Sequence, residues 1–204
     1  MAVYDLMRFG TRVLMGAVAR VTVEGAEHLN RPSGYILASN HLCSWDPPFI
    51  LSITPPRPKL TVLAAAKWQK VAPLRWIFDA MDAIYLRQGD ADRGALKAAL
   101  ALLRSGGTIG MSPEGTRSRT GALIRARSGV AWLALRANTP VVPMAIWGME
   151  KIGRELRRLR RVEIHARVGP AIVFDPGLTA ETATEQLMRA IAALLPAAYR
   201  GVYA

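Results

Sequence analysis

Short apolar runs alternating with helix-like stretches constrain the fold of this chain more than any other feature. The runs are Val21 to Val23, Tyr35 to Ala38, Leu60 to Ala64, Ala83 to Leu86, Thr108 to Met111, Val141 to Ile146 and Val162 to Val168. Between them lie helical segments, clearest from Ala91 to Arg104, where Gly106-Gly107 ends the pattern, and from Gly129 to Ala137, before Asn138-Thr139-Pro140. This alternation predicts an α/β fold, a single domain with a central, largely buried sheet flanked by helices. At 204 residues and 51% hydrophobic, the chain suits one domain of ordinary size with a sizeable core. In such sheets the chemistry collects at strand ends.

Ahead of the first run, residues 1–20 read as an amphipathic helix. Asp5, Arg8, Arg12, Gly16 and Arg20 fall within one arc, and Leu6, Met7, Phe9, Val13, Leu14 and Val18 fill the rest. Such a helix either packs on its own domain or lies in a membrane interface. The expected division is therefore a membrane-associating helix over 1–20 and the main domain over 21–204. Arg8 and Arg12 interrupt what a cleaved signal would need as its apolar region. The uninterrupted apolar stretch Val13 to Ala19 falls far short of the roughly 20 residues that cross a bilayer.

Charge narrows the partners. The 27 Lys and Arg residues against 15 Asp and Glu give a net charge of +12, which attracts polyanions, nucleic acid and anionic lipid alike. The five tryptophans and four phenylalanines are not interleaved with basic residues as base-stacking platforms are, which disfavours a nucleic-acid module. The arginine-rich segment 153–161 reads either as a solvated face or as a contact for phosphate-bearing headgroups. A lone cysteine, Cys43, excludes an internal disulfide and a multi-cysteine zinc site.

Two polar constellations sit where strands end. In "NHLCSWD", residues 40–46, His41 follows a strand and Asp46 opens a helix, so the intervening turn can return the carboxylate to the imidazole. A carboxylate on one ring nitrogen fixes the tautomer and leaves the other nitrogen as a base. The alternatives are a helix-capping Asp46 beside an incidental His41, a Cys43 nucleophile, or a metal site, for which the chain's three histidines show no ligand spacing. In "SPEGTRSR", residues 112–119, Gly115 permits a tight turn and Arg117 offers a planar fork for phosphate. Arg87 ends another strand and Lys67 follows a third; each is either a surface charge or one of several cations converging on an anion.

"NHLCSWD", "SPEGTRS" and "TPVVPMAIWG" (139–148) occur in the order and at the separations found in the glycerolipid acyltransferase family, and nearly the whole chain resembles its short bacterial 1-acylglycerol-3-phosphate acyltransferases. The resemblance implies an α/β fold working at a membrane surface, with His41 as general base and Asp46 as its orienting partner. It implies that Arg87, Glu114, Gly115, Thr116 and Arg117 contact the phosphate and glycerol of the acceptor. Val142 and Pro143 would lie beside the acyl substrate, and Lys67 matches a lysine often found between the first two motifs. Two departures bear on the acceptor. "AIYLR" (83–87) lacks the aspartate that usually precedes the arginine, and Ser112 stands where an aromatic residue is usual.

The expected activity is transfer of a fatty acyl group from acyl-CoA or acyl-acyl carrier protein to the sn-2 hydroxyl of 1-acylglycerol-3-phosphate, yielding phosphatidic acid. No metal or organic cofactor is expected, because a thioester is already activated. The expected partners are an anionic phospholipid surface, the lysophospholipid acceptor and the acyl donor, with the protein held peripherally or monotopically on the cytoplasmic side of the cell membrane. Acylation of a different lysolipid and a non-catalytic peripheral membrane-binding role are the alternatives.

Overall fold

The structure is a computed structural model that describes residues 2–71, 75, 76, 78, 79, 81–86 and 92–204. Every apolar run named above forms a strand: β1 (Ala19–Glu24), β2 (Ile36–Ser39), β3 (Leu60–Ala65), β4 (Ile84–Leu86), β5 (Thr108–Met111), β6 (Val141–Trp147) and β7 (Val162–Val168). They make one seven-stranded sheet in the order β1-β7-β6-β2-β5-β3-β4. All neighbours are parallel except β6 and β7, which pair antiparallel.

Helices cover both faces: α1 (Ala2–Val18), α2 (Asp46–Ile53), α3 (Arg93–Arg104), α4 (Gly129–Ala137), α5 (Ile152–Arg157) and α6 (Ala180–Leu194). The expected helix ends have clear causes. Asp92 caps α3 by accepting from the Ala95 N–H at 3.1 Å, and Asn138, in the left-handed region at φ 49°, closes α4. Ala91, the expected start of the third helix, lies outside the described residues.

Because successive strand side chains point to opposite faces, β2 serves two cores at once. Ile36 and Ala38 face α3, α4 and α6 through Leu103, Leu133, Leu187 and Ile191. Tyr35 and Leu37 face Met15 of α1 and Phe49 of α2. Every β2 residue is buried, so this strand is a rigid platform for whatever follows its carboxyl end.

The amino-terminal helix packs one face on the domain and leaves the other exposed. Tyr4, Met7 and Met15 are buried against the domain; the Tyr4 hydroxyl accepts from the Leu60 N–H at 3.0 Å, and Arg8 donates to the Thr54 carbonyl. Leu6, Phe9 and Val13 are more than half exposed on the outer face. The helix stops at Val18, and residues 19 and 20, grouped with it in the expected 1–20 segment, belong to β1, paired with Val162 and Glu163. Sheet pairing next to the β-branched Val21-Thr22-Val23 outweighs continuation of the helix. No helix among the described residues is long and apolar enough to cross a membrane.

Candidate active site

Parallel pairing of β2 with β5, in the register Ile36 to Ile109 and Ala38 to Met111, brings their carboxyl ends together. The loops that follow, 40–46 and 112–118, therefore lie side by side at one end of the sheet, where open α/β sheets form their crevices. Three contacts join them. The His41 N–H donates to Glu114 Oε2 at 2.9 Å, the Ser118 N–H donates to the His41 carbonyl at 2.8 Å, and Arg117 Nη1 donates to Ser44 Oγ at 2.8 Å.

His41 and Asp46 are joined within the first loop. Nδ1 of His41 lies 2.8 Å from Oδ2 of Asp46, the histidine side chain being 26% exposed and the aspartate 3%. The same carboxylate oxygen accepts from the backbone N–H groups of Leu42 at 2.6 Å and Cys43 at 2.9 Å. An acceptor already taken by these donors can only accept from the ring as well, so Nδ1 carries the hydrogen and Nε2 presents a lone pair. Nε2 has no hydrogen-bond partner among the described residues. The side chain of Asp46 makes no capping bond to α2, although it stands in that helix's first turn beside Pro47 and Pro48. The helix-cap alternative therefore does not describe this residue; the carboxylate folds back onto its own loop.

Cys43 donates its thiol to Asp46 Oδ1 at 3.4 Å. Burial, reinforced by the Asp46 charge, pushes the thiol pKa up to about 12, which leaves it protonated and poorly nucleophilic. Among the described residues no group of three or more His, Cys, Asp or Glu side chains is gathered where a metal could sit.

Glu114 is 2% exposed, and both its oxygens are occupied by backbone donors, Oε2 by His41 and Oε1 by Ile124 at 3.0 Å. Burial raises its pKa, against the lowering effect of the Ile124 and His41 N–H groups. It clamps the two loops together beneath the dyad. Gly115, at φ 66°, turns the chain next to it, and Thr116 and Arg117 emerge exposed at the rim. A side chain at position 115 would be strained in that conformation and would also press on Arg127, 3.2 Å from an ideal Cβ.

The other expected site residues are farther off. Val142 and Pro143 are buried in β6, paired with Leu37 and Ala38, which precede His41 by four and three positions. Lys67 is exposed in the turn after β3, over the Trp68 ring at 5.3 Å, and β3 is two strands away from β2. Arg87, directly after β4, lies outside the described residues. The sequence reading passed over Asn40, whose buried amide donates to the Ile146 carbonyl and accepts from the Ile146 N–H, both at 2.8 Å. That pair ties the start of the dyad loop to β6, and its signal was only a polar residue sealed between an apolar strand and His41.

The chain is similar to known proteins. The acyltransferase family model matches residues 20–147. Human 1-acyl-sn-glycerol-3-phosphate acyltransferase alpha is 28% identical over 181 residues, which cover 88% of this chain and 63% of that protein. The 1-acyl-sn-glycerol-3-phosphate acyltransferase of Borreliella burgdorferi is 26% identical over 131 residues, covering 63% of this chain and 51% of its own. The crystal structure of the 1-acyl-sn-glycerophosphate acyltransferase PlsC from Thermotoga maritima has the same fold, with a TM-score of 0.72 at 23% identity over 94% of this chain and 79% of that one. This chain spans between about half and two-thirds of the length of these two sequence relatives.

Proposed function

The chain belongs to the acyltransferase family, and from that membership we propose that it transfers a fatty acyl group from a thioester donor to the sn-2 hydroxyl of 1-acylglycerol-3-phosphate, forming phosphatidic acid. The observation that carries this reading is the 2.8 Å contact of His41 Nδ1 with Asp46 Oδ2, at the end of the strand that bears the family's first motif. The named relatives support lysophosphatidic acid as acceptor.

In this reading the acceptor hydroxyl gives its proton to His41 Nε2 as its oxygen attacks the thioester carbonyl carbon. The tetrahedral intermediate collapses with cleavage of the carbon–sulfur bond, and the departing thiolate recovers the proton from the imidazolium. Asp46 holds the tautomer throughout and stabilises the transient positive charge. Because a thioester is activated already, proton removal and positioning suffice, and no cofactor enters the scheme. Arg117 and its neighbour Thr116 at the rim bind the acceptor phosphate, and Arg87 and Lys67 are assigned to the same phosphate. Val142 and Pro143 back the strand that borders the acyl path. The donor is acyl-CoA or acyl-acyl carrier protein.

The exposed apolar face of α1, with Leu6, Phe9 and Val13, supports docking on an anionic membrane, and the cytoplasmic side of the cell membrane is the side assigned to it. The helix Ala2–Val18 then serves as a membrane-facing element packed on the acyltransferase domain.

The test is thiol release by the purified protein from acyl-CoA and from acyl-acyl carrier protein, each with lysophosphatidic acid and with lysophosphatidylcholine. Acceptor-dependent release favouring lysophosphatidic acid is expected. Release with neither acceptor contradicts the reading, and equal use of both contradicts the acceptor assignment.

A further inference from the structure

At the edge of the sheet formed by β1 and β7, and at the same end as His41, lies an open cleft of about 780 Å³ that the acyl-transfer scheme does not use. Its walls come from the start of β1, the turn after β6 and the α5–β7 connection. Arg20, Lys151, Arg160 and Arg161 line it. Two carboxylates also line it, but Glu155 is paired with Arg154 at 2.9 Å and Glu163 faces Arg20 at 4.0 Å. Lys151 and Arg160 have no acidic partner among the described residues. The cleft therefore carries surplus positive charge suited to phosphate.

Its rim holds a second anomaly. After α5, the Arg160 N–H donates to the Glu155 carbonyl and the Leu159 N–H to the Leu156 carbonyl, both at 3.0 Å, the pattern of a Schellman closure. The residue that turns left-handed in such a closure is usually glycine or asparagine. Here it is Leu159, at φ 56° and 97% exposed, between Arg158 and Arg160. A fully solvated leucine in a disfavoured conformation gains nothing inside this domain. Beside it, Arg161 donates to the Gly16 carbonyl and, at 2.6 Å, to the Ala19 carbonyl, which ties this turn to the end of the helix whose outer face is apolar.

We propose that this cleft holds the phosphate headgroup of an anionic phospholipid in the bilayer, with Leu159 entering the hydrocarbon beside it as a second anchor next to α1. Charge selects the headgroup, and one apolar side chain framed by arginines suits the headgroup boundary. The proposal rests on the membrane reading given above and adds a site to it.

The experiment is flotation of the full chain with vesicles of phosphatidylcholine alone and of phosphatidylcholine mixed with phosphatidylglycerol. The variants are Lys151→Gln with Arg160→Gln, Leu159→Asp, and a control of equal charge loss, Arg93→Gln with Arg189→Gln, on exposed positions of α3 and α6. The cleft pair is expected to weaken binding to the mixed vesicles by roughly thirtyfold, the combined effect of two basic contacts at an anionic surface, and the control pair by less than about threefold. Leu159→Asp is expected to weaken it severalfold without altering the circular dichroism spectrum. If the wild type floats on neither vesicle, the membrane reading falls and this site with it. If the wild type floats on mixed vesicles but the cleft and control pairs behave alike, the site alone is wrong. If the cleft pair raises the KM for acyl-CoA and leaves flotation intact, the cleft serves the soluble phosphates of the donor and the proposal is overturned.

Discussion

The oxygen of Asp46 that faces His41 Nδ1 at 2.8 Å is the same oxygen that accepts from the Leu42 and Cys43 N–H groups. Orientation of the base is thus built into a six-residue loop, and the loop's own backbone dictates which way the acid points. This relationship sets the outcome of a familiar substitution. In Asp46→Asn, the two backbone donors draw the amide oxygen toward themselves, so an acceptor still faces the imidazole and the tautomer survives. What is lost is the negative charge, together with the acceptor of the Cys43 thiol.

Turnover is therefore expected to fall by about one to two orders of magnitude in Asp46→Asn and by roughly 10² to 10⁴ in Asp46→Ala, where the acceptor is gone as well. Measurement of kcat for both variants, with circular dichroism as a folding control, checks this order. An asparagine variant as impaired as the alanine variant would mean that the amide has flipped to present its N–H₂ to the ring.

In the proposed scheme Cys43 is a spectator. With its thiol pKa pushed up to about 12 by burial and the neighbouring Asp46 charge, the thiolate is scarce at neutral pH and grows only in strongly alkaline solution. Cys43→Ala is expected to retain activity within about fivefold, since the scheme needs no acyl-enzyme. Alkylation of the native protein by iodoacetamide at neutral pH should be slower than that of the unfolded chain. Acyl label trapped on the wild type and absent from Cys43→Ala would reverse this assignment.

Arg117 reaches the dyad loop through Ser44 Oγ at 2.8 Å, so the guanidinium is held at the rim before any ligand arrives. Arg117→Ala should raise the KM for lysophosphatidic acid by about tenfold or more, with a smaller effect on kcat, and lysine should restore little because it lacks the planar fork. Ser44→Ala, which frees the guanidinium but keeps it, should have a milder effect in the same direction. An unchanged KM in Arg117→Ala would remove this residue from acceptor binding.

Glu114 gives a pH signature. Burial raises its pKa despite the two backbone donors, so the folded state favours the protonated form. The group's contribution to stability is then present below the ordinary glutamate range and is lost as pH rises through the raised folded value. Glu114→Gln lacks this titration. Its stability relative to the wild type should therefore improve as pH is raised from acid toward neutral, measured by denaturant unfolding at several pH values. A difference that does not move with pH would show that the carboxyl is not held in this environment.

Much of this architecture is legible in the chain itself, because strands of a sheet covered on both faces leave continuous apolar runs, and Gly106-Gly107 and Asn138 mark where helices must stop. Strand order is not legible. Nothing local in Ile36–Ser39 or Thr108–Met111 announces that β2 and β5 are parallel neighbours, yet that pairing alone brings His41 to Glu114 across 73 positions of sequence. For the same reason the part that Glu114 plays is not legible in the chain. Glu114 stands in its motif as a polar group on a loop, and only the packed structure encloses it as a clamp on the His41 backbone. The start of β1 was missed by two residues because Ala19 and Arg20 fit the helical pattern, and the competing partner, β7, lies more than 140 positions away.

The central claim is that Nε2 of His41 is the base that removes the acceptor proton. Its most direct test is turnover of folded His41→Ala at saturating acyl-CoA and lysophosphatidic acid, beside the wild type. A loss on the order of 10² to 10⁴ is expected, the usual contribution of a positioned general base. Near wild-type turnover in a folded His41→Ala protein would contradict the account.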